Sequence, residues 1–237
     1  PLAASPYNSF MCGRFTLRAP ASVIAEQFGL FDVPPLAPRY NIAPTQLVAA
    51  VRLSPPPDEP RRKLAMLRWG LIPAWAQDPA IGSRLINARA ETAAEKPAYR
   101  AAFRRRRCLI LADGFYEWQK TGSRKQPYFI RMLDDRPFAF AGLWESWEGA
   151  DHSVIQSCAL LTTEANQLVR PIHDRMPVIL RREDYDRWLA PSIQDPKVLL
   201  PLLAPYPSDE MLAVPVSTYV NNPARDDPRC IETVRPG

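Results

Sequence analysis

The chain has 237 residues, 46% of them hydrophobic and 23% charged, with a formal net charge of +5. That size fits one large domain or two small ones around a substantial core, and the composition is that of an ordinary globular protein. No apolar run approaches the roughly 18 residues a membrane-spanning helix needs. The four cysteines, Cys12, Cys108, Cys158 and Cys230, lack any Cys-x-x-Cys spacing, which argues against a zinc site and a disulfide framework.

Residues 1–10 have neither a basic start nor an apolar stretch, so they do not read as a secretory signal, and a reducing cytosol is the expected compartment. After Met11-Cys12-Gly13-Arg14-Phe15, residues 20–29 read as a short helix, with Pro20 at its start and Gly29 as its stop. Residues 34–38 are an irregular connection, 39–45 a loop and 47–53 a strand. The proline-rich stretch 54–62 reads as an exposed hairpin loop, and 65–69 resumes as a strand. Residues 70–83 read as an ordered loop, 85–88 as a short extended piece and 97–105 as a helix. The basic end of that helix, Arg104 to Arg107, suits a helix C-terminus and needs no nucleic acid to explain it.

From Cys108 onward strands dominate, at 108–112, 115–119, 128–132, 138–144, 154–162, 178–180 and 212–216. Helices are expected at 183–189 and 196–203. Short strands at hairpin spacing with a few helices predict a single α+β domain around a curved, barrel-like, mostly antiparallel sheet.

Four stretches carry chemistry. Cys12, if freed at its amine, offers two nucleophiles on adjacent carbons, and Gly13 beside it leaves room for close approach. Asn87 and Arg89 are two apart, so an extended segment sends both to one face. Glu117 sits among aromatics in Asp113-Gly-Phe-Tyr-Glu-Trp, a setting that raises a carboxyl's affinity for a proton. His173 is the better placed of the two histidines, His152 and His173, between Ile172 and Asp174-Arg175. Each also has a plain structural reading: a buried cysteine starting a strand, a turn-forming Asn87, an exposed strand Glu117, a packed core His173. The basic set is 25 Arg to 5 Lys. Arginine forks suit phosphate, yet a GC-rich genome produces the same bias, so the charge permits a nucleic-acid partner without requiring one.

Met11-Cys-Gly-Arg-Phe, Tyr40-Asn-Ile-Ala-Pro, Trp69-Gly-Leu-Ile-Pro, Asn87-Ala-Arg-Ala-Glu, Asp113-Gly-Phe-Tyr-Glu-Trp, Pro127-Tyr-Phe and Ile172-His-Asp-Arg-Met-Pro occur in this order. The series resembles the SOS response-associated peptidase (SRAP) family, whose eukaryotic members shield abasic sites in single-stranded DNA. The resemblance runs from Met11 to about Leu180 and continues weakly through Val216-Ser217 and Val220-Asn221-Asn222.

The resemblance implies a covalent thiazolidine between an N-terminal Cys12 and the aldehyde of a ring-opened abasic sugar. It implies that Glu117 shuttles protons, that Asn87 orients the sugar, and that His173 assists sugar opening or crosslink reversal. It places Arg14, Arg89 and Arg175 at phosphates, and Pro44, Trp75 and Thr162 along the groove. The implied partner is single-stranded DNA containing abasic sites, with no membrane, metal or cofactor. The protein is expected to be a cytoplasmic monomer, nucleoid-associated when bound to DNA.

One departure stands out. Ten residues precede Met11, so Cys12 as written carries an amide nitrogen. The expectation is a leader over 1–10, from a misplaced start or a cloning remnant, before one domain over 11–237. A propeptide that the protein removes itself is the other explanation. Two further function classes stay open: a cysteine-dependent peptidase or amidase using Cys12, His173 and Asn87, and a non-catalytic single-strand binder with a structural Cys12.

Overall fold

A computed structural model describes residues 12–54 and 61–235. The leader over 1–10, Met11 and most of the proline-rich loop lie outside the described residues. In chain order the strands are β1 (Phe15–Leu17), β2 (Arg39–Ile42), β3 (Leu47–Leu53), β4 (Arg62–Trp69), β5 (Asn87–Arg89), β6 (Arg107–Ala112) and β7 (Gly114–Thr121). They continue as β8 (Arg124–Met132), β9 (Phe138–Glu148), β10 (Val154–Glu164), β11 (Arg175–Pro177), β12 (Ile179–Leu180) and β13 (Met211–Pro215). Helices α1 (Ala21–Phe28), α2 (Ala90–Ala93), α3 (Arg100–Arg105), α4 (Tyr185–Leu189) and α5 (Pro196–Leu199) are short and lie around the sheets.

Two sheets share the chain. β10, β4, β3, β6 and β9 close on themselves as a barrel, because β9 pairs with both β6 and β10. The one parallel junction in that ring, β10 with β4, is set by Ser157 opposite Arg68 and Cys158 opposite Trp69. Gly142 of β9 faces a crowded interior: a Cβ there would lie 2.7 Å from the Cys108 sulfur. The second sheet is antiparallel, in the order β13-β8-β7-β1-β2. The result is the α+β, barrel-like architecture expected from the strand spacing.

The chain passes from barrel to open sheet at Asp113, between β6 and β7. Its buried carboxylate accepts from Thr16 Oγ1 at 2.5 Å, Arg18 Nε at 3.1 Å, the Ala19 N–H at 2.9 Å and the Arg18 N–H. Phe15 then seals the two layers, its ring 5.1 Å from Trp69 and 5.7 Å from Phe140. Truncating a ring in such a place costs about 3–5 kcal/mol.

Several local expectations shift. Residues 39–42, read as loop, form β2. It pairs with β1, and its other edge is held from 185 residues away: the Asp226 carboxylate accepts the Asn41 N–H at 2.8 Å and also bonds Arg39. No local pattern carries that pairing. β11 and α2 are additional elements, and β10 runs two residues further than expected because β11 pairs with its end. The loop after Trp69 contains a 3-10 turn at Pro79–Arg84, started by the Asp78 carboxylate accepting the Ala80 N–H at 2.8 Å. The helix expected from 97 starts at Arg100, and those expected at 183–189 and 196–203 are each half 3-10 turn. The basic run splits as well. Arg107 is buried in β6 and donates to the Phe103 and Arg104 carbonyls at the end of α3 and to Trp188, Ala190 and Ile193 carbonyls around the end of α4. Burial without a carboxylate partner lowers its guanidinium to about 10.

Candidate functional site

Strand geometry brings the expected residues together. β1 runs antiparallel to β7 with Phe15 opposite Phe115, so the chain just before β1 lies beside the middle of β7. There the Cys12 N–H donates to Glu117 Oε1 at 2.7 Å. On the other side, Asn87 at the start of β5 donates from Nδ2 to the Cys12 carbonyl at 3.4 Å. Asn87 is itself held by the Tyr99 hydroxyl, which donates to its carbonyl at 3.0 Å. Cys12 is fully buried and adopts φ +40°, a left-handed backbone that costs a non-glycine residue about 1–3 kcal/mol and clusters at functional positions.

Burial decides the protonation of both reactive groups. Glu117 is 3% exposed, and desolvation raises its carboxyl from 4.5 to about 8 despite N–H donors from Cys12 and Trp118, with Asp174 adding a smaller push. The Cys12 thiol is raised well above its ordinary value, chiefly by burial and secondly by Glu117. A thiolate of the papain kind needs the opposite environment, a depressed thiol beside an imidazolium. The ionisable group that bonds Cys12 is the Glu117 carboxyl, on its nitrogen, which weighs against the cysteine-peptidase alternative.

Glu117 opens onto a cleft of about 760 Å³ lined also by Gly13, Arg14, Pro44, Trp118 and His173, together with Gln46, Lys125 and Asn221, while Cys12 and Asn87 lie behind its lining. His173 Nδ1 accepts the Arg175 N–H at 3.1 Å, while Asp174 Oδ1 lies 3.0 Å from the same nitrogen. Only one of these bonds forms at a time. A ring with a bare Nδ1 takes the first, and one that carries a proton on Nδ1 takes the second.

The remaining expected residues are more dispersed. Arg14 reaches the cleft, with Nη1 donating to Asn41 Oδ1 and the Val220 carbonyl, each at 3.0 Å. Asn41, fully buried, donates to the Val220, Asn222 and Arg225 carbonyls, so these two side chains pin the C-terminal segment as one wall of the cleft. Arg175 forks onto Glu91 at 2.5 and 2.9 Å, which holds that carboxyl below its usual range, and donates to the Thr162 carbonyl at 2.7 Å. Arg89 is exposed in β5. Thr162 is fully buried and Trp75 is 62% exposed; neither lines the cleft. Trp118 and Asn221, which no role was assigned to in the sequence, do line it and bond each other, Nε1 to Oδ1, at 2.8 Å. Both lay inside motifs already noted, which was the available signal.

Among the described residues no cluster of His, Cys, Asp or Glu could hold a metal ion, and no helix is long and apolar enough to cross a membrane.

Comparison with known proteins bears on this arrangement. The sequence model of the family described as SOS response associated peptidase (SRAP) matches residues 11–223. The abasic site processing protein YoqW of Bacillus subtilis is 44% identical over 227 residues, covering 94% of this chain and 100% of that protein. The abasic site processing protein HMCES of Xenopus tropicalis is 33% identical over 224 residues, covering 83% of this chain and 66% of that protein. A crystal structure of a protein from Bacteroides thetaiotaomicron superposes with a TM-score of 0.84 at 26% identity, covering 94% of this chain and all of the other.

Proposed function

The chain belongs to the SOS response associated peptidase family, and from that premise we propose that it captures abasic sites in single-stranded DNA through a thiazolidine at Cys12. The observation that carries the reading is the Glu117 carboxyl held 2.7 Å from the Cys12 nitrogen. Thiazolidine formation needs a proton relay at that nitrogen, and a carboxyl whose affinity for protons lies near neutrality suits the task.

The steps balance as follows. Removal of the residues before Cys12 frees its α-amine. In its unprotonated form the amine adds to the aldehyde carbon of the opened sugar; Glu117 gives a proton to the hydroxyl that leaves as water and takes one back from the nitrogen, forming an imine. The Cys12 sulfur then bonds to the same carbon, and the thiol proton ends on the nitrogen. One water is lost overall. A neutral, buried thiol serves this order, because it adds after the imine exists and need not ionise beforehand. Asn87, against the Cys12 carbonyl, orients the reacting residue and sugar. His173 at the cleft wall assists sugar opening or reversal. Arg14, Arg89 and Arg175 hold phosphates on either side of the lesion.

The test is a denaturing gel of the protein mixed with a single-stranded oligonucleotide carrying one abasic site. A covalent band with that oligonucleotide, absent with the undamaged one and absent for Cys12→Ala, supports the reading. Equal binding by wild type and Cys12→Ala without any covalent band identifies a simple single-strand binder instead.

A further inference from the structure

The β7–β8 hairpin grows directly out of the site. Glu117 sits on β7, and three residues further along, roughly 10 Å at strand rise, Lys120 stands opposite Lys125 in the register. Thr121 opposes Arg124 at the tip. From Trp118 to Gln126 the hairpin holds three cations and no carboxylate, and residues 120–125 are all exposed. Two lysines directly opposed across a strand pair destabilise it, and among the described residues neither Lys120 nor Arg124 has an acidic partner. Lys120 and Arg124 therefore give the fold no ion pair.

The hairpin is also aimed. At its base Gln119 Nε2 donates to the Pro171 carbonyl at 3.0 Å, in the loop that carries His173, and the Tyr128 hydroxyl donates to Gln119 Oε1 at 3.2 Å. Lys125 lines the cleft itself. One cationic edge thus begins in the cleft and leads outward from it, held against the histidine loop.

We propose that this hairpin is a phosphate-tracking arm that holds the DNA strand where it leaves the cleft, about three base steps from the lesion at ~3.4 Å per step. The inference rests on the DNA reading above. It adds a second contact zone, separate from the arginines beside Cys12 and Glu117, and it makes affinity depend on how far the DNA extends past the lesion.

The test compares wild type with Lys120→Gln/Arg124→Gln, two exposed residues outside the cleft lining. Two abasic single-stranded oligonucleotides are used, one with a single nucleotide on each side of the lesion and one with many. Binding is followed by fluorescence anisotropy over a salt series, and covalent yield by denaturing gel. On the long oligonucleotide the variant should lose about 1.4 units of log-log salt slope, two contacts at about 0.7 each. On the short one its slope and covalent yield should match wild type. An unchanged slope on the long oligonucleotide, or an equal loss on both, overturns the arm. If wild type forms no covalent band but the length-dependent loss appears, the arm stands and the thiazolidine reading fails.

Discussion

Replacing Glu117 by Gln probes the desolvated carboxyl most cleanly. Glutamine keeps the shape and can still accept the Cys12 N–H, but it cannot ionise. In the wild-type fold the carboxyl is raised from 4.5 to about 8. Between these values the folded chain keeps a proton that the unfolded chain has released, so stability falls as pH rises through the window and levels off above it. The slope reaches about 1.4 kcal/mol per pH unit, with a ceiling of roughly 5 kcal/mol across the window. Glu117→Gln removes this dependence. The two proteins should have similar stability near pH 4.5 and diverge upward, the variant gaining about 10–20 °C in relative Tm by pH 8 at 2–4 °C per kcal/mol. Thermal and denaturant melts of both proteins at half-unit pH steps provide the assay. The same variant, with Cys12 at its N-terminus, should crosslink abasic DNA roughly 10²–10⁴-fold more slowly. Parallel stability curves for the two proteins would refute the reasoning, because they would mean that Glu117 is ionised in the fold and solvated.

Asn41→Ala strips the donor that holds the Val220, Asn222 and Arg225 carbonyls; a loss of about 2–4 kcal/mol in denaturant melts is expected, with earlier proteolytic cutting after residue 215. Trp75→Ala removes a 62% exposed ring. It should leave stability within about 0.5 kcal/mol and, if the ring stacks on a DNA base, weaken single-strand binding by about 1–3 kcal/mol in a titration. Arg107→Met removes the guanidinium donor from five carbonyls, of which Ala190 keeps the Ile193 N–H, and should cost about 2–4 kcal/mol, read as a lower melting midpoint with unchanged chemistry in the protein that remains folded.

The strand-rich second half was legible because breaks such as Asp113-Gly114 and the hairpin turn at Thr121-Gly122 punctuate the strand runs, and these signals are local. β2 was not legible, since its edge is completed by Asp226 from the far end of the chain. Barrel closure was equally hidden, because it depends on β9 serving both β6 and β10. In the site, the raised carboxyl of Glu117 followed from its aromatic setting, and its approach to Cys12 from the family resemblance. The internal commitments of Arg14 and Arg175 could not be read from sequence. Each holds a protein acceptor, the Val220 carbonyl for Arg14 and Glu91 for Arg175, that is set by the fold and not by the arginine's own motif. Lys125 at the cleft gave no signal either, because it belongs to no motif and gains its position from the hairpin register.

The central claim is that the Cys12 amine and thiol act on one aldehyde carbon. Its most direct test is the intact mass, after denaturation, of two proteins mixed with single-stranded abasic DNA. One begins at Cys12, and the other is shown by its own mass to retain residues 1–11. The first should gain the mass of the oligonucleotide less one water, and the second should gain nothing. Equal covalent capture by both, through Cys12, would contradict the account and leave simple thiol addition in its place.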